Sequence, residues 1–97
     1  MRQETIEKVR EIWPELQALG VGHLELFGSC ARGEDSADSD VDVVVTFAGK
    51  PTLRGLVAVR DRLEAALGRR VDVITAGAVA SRPRLAARVR AEAIHVA

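Results

Sequence analysis

The sequence predicts a small α/β domain, and three observations carry that prediction. Stretches with apolar residues at three- and four-residue steps alternate with short apolar runs rich in β-branched residues, the pattern of helices interleaved with strands. The 97 residues suffice for one core, in a size class that buries only about two-thirds of the surface its unfolded chain exposes. One domain spanning residues 1–97 is therefore expected, with no second domain to hold a substrate. Third, residues 26–45 read LFGSCARGEDSADSDVDVVV: an apolar run stops at Gly28-Ser29, a polar loop follows, and Asp40 and Asp42 stand at the mouth of a second apolar run.

Taken in order, Ile6, Val9, Ile12/Trp13, Leu16 and Leu19 recur at helical steps and predict a first helix over about 3–19, ended by Gly20. Pro14 falls inside it and must kink or divide it, because proline lacks an amide donor and crowds the preceding turn. Trp13 is expected as an anchor in the core or toward a partner. Residues 23–27 form a first strand with His23 at its rim. In the loop that follows, Glu34, Asp35 and Asp38 are short or polar turn residues expected to be solvated. A second strand spans Val41–Phe47, and Gly49-Lys50-Pro51 breaks it. Thr52 then caps a helix carrying Leu53, Leu56, Val57, Leu63 and Leu67, with Gly68 as terminator. The stripe of that helix is expected to cover the Val43/Val45 face of the sheet and to leave the Asp face open. Val71–Thr75 form a third strand, interrupted by Asp72. Ser81-Arg82-Pro83 start a last helix through about Glu92, whose Arg82, Arg84, Arg88 and Arg90 give a basic face, suited to an acidic partner or an RNA backbone, or simply to solvent. Residues 94–96 add a short edge strand, with His95 in a structural role.

Side chains two apart on a strand share a face, so Asp40 and Asp42 stand together while Val41, Val43 and Val45 point the other way. Two like charges held that close repel unless a cation lies between them. Oxygen ligands without nearby Cys or His favour a hard ion, Mg²⁺ or Mn²⁺, commonly shared with substrate phosphates. Gly28-Ser29, between a strand and a possible helix start, offers backbone N–H groups and the Ser29 hydroxyl to a phosphate. A carboxylate such as Asp72 inside an apolar strand is costly to bury unless paired or metal-bound; a salt bridge to Arg69, Arg70 or another arginine is the other reading.

Gly28-Ser29, ten residues, then Asp40-x-Asp42, with Ala31-Arg32-Gly33 and Ser39 between, resembles the signature of the DNA polymerase β-like nucleotidyltransferase superfamily. The chain is most similar to the minimal nucleotidyltransferases, or MNT-domain proteins, which pair with HEPN-domain proteins as antitoxin and toxin. The resemblance implies the nucleotidyltransferase fold, a small mixed β-sheet with helices packed on one face. It also implies transfer of AMP from ATP to a hydroxyl, a tyrosine of a HEPN ribonuclease toxin. Asp40, Asp42 and Asp72 would be the catalytic residues and ligands of two Mg²⁺ ions, with Mn²⁺ a possible substitute. Gly28 and Ser29 would bind the β- and γ-phosphates, and Arg32 either neutralises phosphate charge or braces the acidic loop. The chain has no Tyr, so an accepting tyrosine lies in another protein. The rival expectation is a binding module that keeps the motif as scaffold and neutralises its toxin by occlusion.

Composition excludes other classes. Fourteen basic residues balance 14 acidic ones, which argues against broad attraction to nucleic acid or an anionic membrane. One Trp, two Phe and no Tyr give little for bases to stack on, so direct nucleic-acid binding is not expected. Residues 1–50 hold ten acidic and five basic side chains and residues 51–97 four and nine, an asymmetry that suits a protein partner or ordinary solvated helices. No apolar run reaches membrane-span length and the polar start lacks a secretory core, so a cytoplasmic protein is expected. The lone Cys30 rules out an internal disulfide framework and a cysteine zinc site; it is either a thiolate favoured by a helix N-terminus or a spacer without chemistry.

Overall fold

The structure is a computed structural model describing residues 2–97. Pro14 divides the first helical stretch in two: α1 spans Arg2–Glu11 and α2 spans Trp13–Ala18, joined at Ile12. Its ring lies in the first turn of α2, where no intrahelical amide is required. Gly20, at φ 98°, turns the chain into β1 (Val21–Phe27), and α3 (Gly28–Arg32) opens directly after it. β2 (Val41–Phe47) and α4 (Leu53–Leu67) follow. The expected caps of α4 are in place: the Thr52 hydroxyl accepts the Gly55 N–H at 3.0 Å, and Gly68 closes the helix in the left-handed region at φ 66°. Then come β3 (Val71–Thr75), α5 (Ala76–Ala80), α6 (Pro83–Glu92) and β4 (Ile94–His95).

The four strands form a mixed sheet in the order β3-β2-β1-β4. β1 is antiparallel to both β2 and β4, while β2 and β3 run parallel, a pairing that needs a crossover connection, supplied here by the helix α4. Val41, Val43 and Val45 are fully buried beneath α1, α2 and α4, in one cluster with Val9, Leu16, Val59 and Leu63. Each such side chain contributes roughly 1.5–3 kcal/mol of burial. Trp13 packs partly buried against this cluster.

The expected covering of the Val43/Val45 face is therefore present, but the opposite face is not left bare. Phe27 and Val44 pack there with Val79 of α5 and Val89 of α6 in a second, smaller cluster. The Asp face is open only at the strand mouth. α5 has no counterpart in the sequence reading, because AGAVA offers a single large apolar side chain, too little for a period.

Candidate active site

Parallel register sets Asp42 of β2 beside Asp72 of β3, with Val41 beside Val71 and Val43 beside Val73. Both carboxylates thus leave the sheet on one face. On its other flank Asp42 is in register with Phe27, after which the chain turns sharply into α3. Gly28 makes that turn at φ 72°, and a Cβ built there would lie 2.6 Å from Asp42 Oδ2. The glycine is thus required twice, for the left-handed backbone and for room beside the carboxylate. Gly28→Ala is expected to cost about 1–3 kcal/mol in backbone strain and to displace Asp42; urea unfolding and transfer assays would read the two effects.

Asp42 is half-buried, whereas Asp40 and Asp72 are exposed. Burial, then the charges of Asp72 and Asp40, push the Asp42 carboxyl above its ordinary value. Asp40 pairs with Arg70 at 3.2 Å. Among the described residues no arginine pairs with Asp72, so the salt-bridge reading of that residue is not the one the structure adopts. Among the same residues no three Cys, His, Asp or Glu side chains converge as a ready metal cage. The donors nevertheless fit a hard divalent cation: they are carboxylate oxygens only, of like charge, and the central one is destabilised as an anion by burial and then by its two neighbours.

The first-turn N–H groups of α3 have no carbonyl within that helix to bond, and Ser29 stands there half-buried. Arg32 at the other end donates to Glu34 and, at 2.7 Å, to Glu92 of α6; these are the contacts of a brace. Arg88 lies 5.3 Å from the centre of the Phe27 ring and also approaches Glu92, so this member of the basic face works within the fold. Arg82, Arg84 and Arg90 are exposed. His23 and His95 are exposed neighbours across β1 and β4, ring centres 5.6 Å apart.

One expectation needs correction, and one alternative is decided. Asp35 is not solvated: its side chain is 1% exposed and bound to Arg69 at 2.8 Å. Burial pushes its carboxyl up, but the hydrogen bond and charge of Arg69 outweigh that and hold it below the ordinary range. Arg69 also donates to the Ser36 and Ser39 carbonyls at 2.9 and 2.7 Å. It thereby clamps the acidic loop onto the entry of β3 and fixes the strand mouth that carries Asp40. Cys30 is fully buried, and burial, then the charge of Asp35, pushes its thiol up. The thiolate reading fails, and Cys30 is a core residue. No local signal in the sequence marks the Asp35–Arg69 pair, which joins residues 34 positions apart.

Residues 4–94 match the nucleotidyltransferase domain family. The chain is 39% identical over 87 residues to a candidate protein adenylyltransferase of Methanocaldococcus jannaschii, covering 90% of this chain and 91% of that protein. It superposes with a TM-score of 0.72 on the solved structure of a candidate minimal nucleotidyltransferase, 34% identical, over 92% of this chain and 93% of the other. The fold also recurs in a complex of a tri-AMPylated Shewanella oneidensis HEPN toxin with MNT antitoxin: TM-score 0.71, 18% identity, all of this chain and 72% of that one. With its Gly28 turn set against Asp42 and Asp42 in register with Asp72, the chain belongs to the nucleotidyltransferase domain family, among the minimal nucleotidyltransferases.

Proposed function

We propose that the chain transfers AMP from ATP to a hydroxyl of another protein, a tyrosine of a HEPN ribonuclease toxin, and so acts as the antitoxin of that pair. The observation that carries this reading is the placement of Asp42, tight against the Gly28 turn on one side and beside Asp72 on the other. Phosphate holder and carboxylates adjoin in one small site. The likeness to a candidate protein adenylyltransferase supports AMP as the group moved, and the fold shared with an MNT antitoxin complex supports the partner.

Asp40, Asp42 and Asp72 would hold Mg²⁺, or Mn²⁺ in its place. When bound, such ions neutralise phosphate charge and lower the pKa of the attacking hydroxyl. Gly28 and Ser29 would orient the β- and γ-phosphates through backbone N–H groups and the Ser29 hydroxyl. The acceptor oxygen bonds to the α-phosphorus as its bond to the bridging oxygen breaks, pyrophosphate leaves, and an Asp72 carboxylate oxygen takes the hydroxyl proton. Because the chain contains no Tyr, this acceptor cannot be its own.

The test is intact mass spectrometry of a HEPN partner incubated with the chain, ATP and Mg²⁺. A mass increase of one or more adenylyl groups, on tyrosine by fragmentation, is the expected result. A stable complex with no mass change, and toxin activity still suppressed, would establish the occluding module instead.

A further inference from the structure

Two side chains of α6 meet the rim of the carboxylate site. Glu92 holds Arg32, the last residue of α3, at 2.7 Å. One turn earlier, about 6 Å back along α6, the Arg88 guanidinium lies 5.3 Å from the centre of the Phe27 ring. Phe27 directly precedes the Gly28 turn and is the cross-strand partner of Asp42, and directly opposed residues project from one face of a sheet. Val89, the neighbour of Arg88, is buried with Val44 in the smaller apolar cluster. Arg88 thus stands where the covering of the Asp face stops and its open mouth begins. Its hold there is loose: the side chain is 60% exposed, and Glu92 is 3.6 Å away and already bound by Arg32. Arg32, Arg69 and Arg70 are committed more closely, to Glu34 and Glu92, to Asp35 and to Asp40.

We propose that Arg88 exchanges Glu92 for the β- and γ-phosphates of the nucleotide and receives the departing pyrophosphate. The proposal rests on the transferase reading and adds a catalytic residue to it. Three carboxylates make the mouth negative, and a triphosphate adds to that charge, so a cation supplied by the chain is of most use on the phosphate side. As the acceptor oxygen bonds to the α-phosphorus, the bond to the bridging oxygen breaks and its electron pair passes to the pyrophosphate. Charge grows on those leaving oxygens through the transition state, and a guanidinium matches a pair of them and stays charged at any working pH. The Phe27 ring keeps the group at the mouth before the nucleotide arrives, so little side-chain freedom is lost on binding. A contact of this kind reads the number of phosphates and not the base.

The experiment compares Arg88→Met and Arg88→Gln, which remove the charge with and without an apolar stem to lie on Phe27, with Arg88→Lys, which keeps it. Arg90→Gln is the control, an equal charge loss about 200° round the same helix. Equilibrium dialysis with labelled ATP or AMP and Mg²⁺ gives affinities, and transfer to a HEPN partner gives kcat. Both charge-removing variants are expected to bind ATP about tenfold more weakly and AMP within about twofold of wild type. Their kcat is expected to fall about 10²-fold, with part of both losses recovered in Arg88→Lys and none seen in Arg90→Gln. Equal weakening of ATP and AMP overturns the proposal in favour of a packing role for Arg88. A loss as large in Arg90→Gln overturns it in favour of net charge, and unchanged ATP affinity and kcat overturn it outright. A wild-type chain that binds no ATP and labels no partner overturns the transferase reading itself, and the proposal falls with it.

Discussion

Asp42→Asn is expected to lower AMP transfer by about 10³-fold or more. Loss of one central charge removes several kcal/mol of stabilisation at the α-phosphate, and each 1.36 kcal/mol is a factor of ten. The same variant is expected to make the metal-free protein more stable. Asp42 has a folded-state pKa above its unfolded value, through burial and the charges of Asp72 and Asp40. An acid shifted upward favours its protonated form in the fold, so ionisation at neutral pH costs stability, and the cost disappears below the unfolded pKa. Asparagine removes it. Calorimetry at pH 7 without metal should show a Tm raised by a few degrees, about 4–8 °C per kcal/mol in a domain of this size. Added Mg²⁺ should raise the wild-type Tm and leave the variant unmoved. A variant that is both less active and less stable would show that Asp42 is a structural residue.

Arg69→Ala is expected to be the most destabilising single substitution outside the apolar core. Asp35 is 1% exposed and Arg69 9%, and truncating one partner of such a pair leaves an uncompensated buried charge, costing about 3–5 kcal/mol. That is a large share of the roughly 5–15 kcal/mol that holds a domain together. Urea unfolding should show the loss, with Tm lowered by more than about 12 °C. The pair Asp35→Leu/Arg69→Met should recover much of it, because no charge is then left behind. Asp35 has a folded pKa below its unfolded value, so its contribution is present above the unfolded pKa and is lost as pH falls through the folded one. The stability gap between wild type and Asp35→Asn should therefore narrow in acid. Since Arg69 also holds the Ser36 and Ser39 carbonyls, a refolded Arg69→Ala should also transfer AMP more slowly, through loosening of the strand end that carries Asp40.

Features that depend on near neighbours were legible in the chain before folding. The helical period from Ile6 to Leu19 and its division at Pro14, the Thr52 and Gly68 caps of α4, and the strands Val41–Phe47 and Val71–Thr75 are each written within a few residues. The Gly28-Ser29 and Asp40-x-Asp42 spacing is likewise local, because a turn and a strand convert it directly into geometry. Features that depend on distant partners emerged only on folding. Strand register set Asp42 beside Asp72 and against the Gly28 turn. Burial of a loop aspartate by an arginine 34 positions later made Asp35 a structural anion, although its sequence context is that of a solvated turn. Packing, and not composition, brought α5 and α6 over Val44 and restricted the open part of the Asp face to the strand mouth. Periodicity reports which side of an element is apolar. Only chain closure determines which long-range partner meets it, and at a small site that choice fixes which carboxylates are free for chemistry and which hold the fold together.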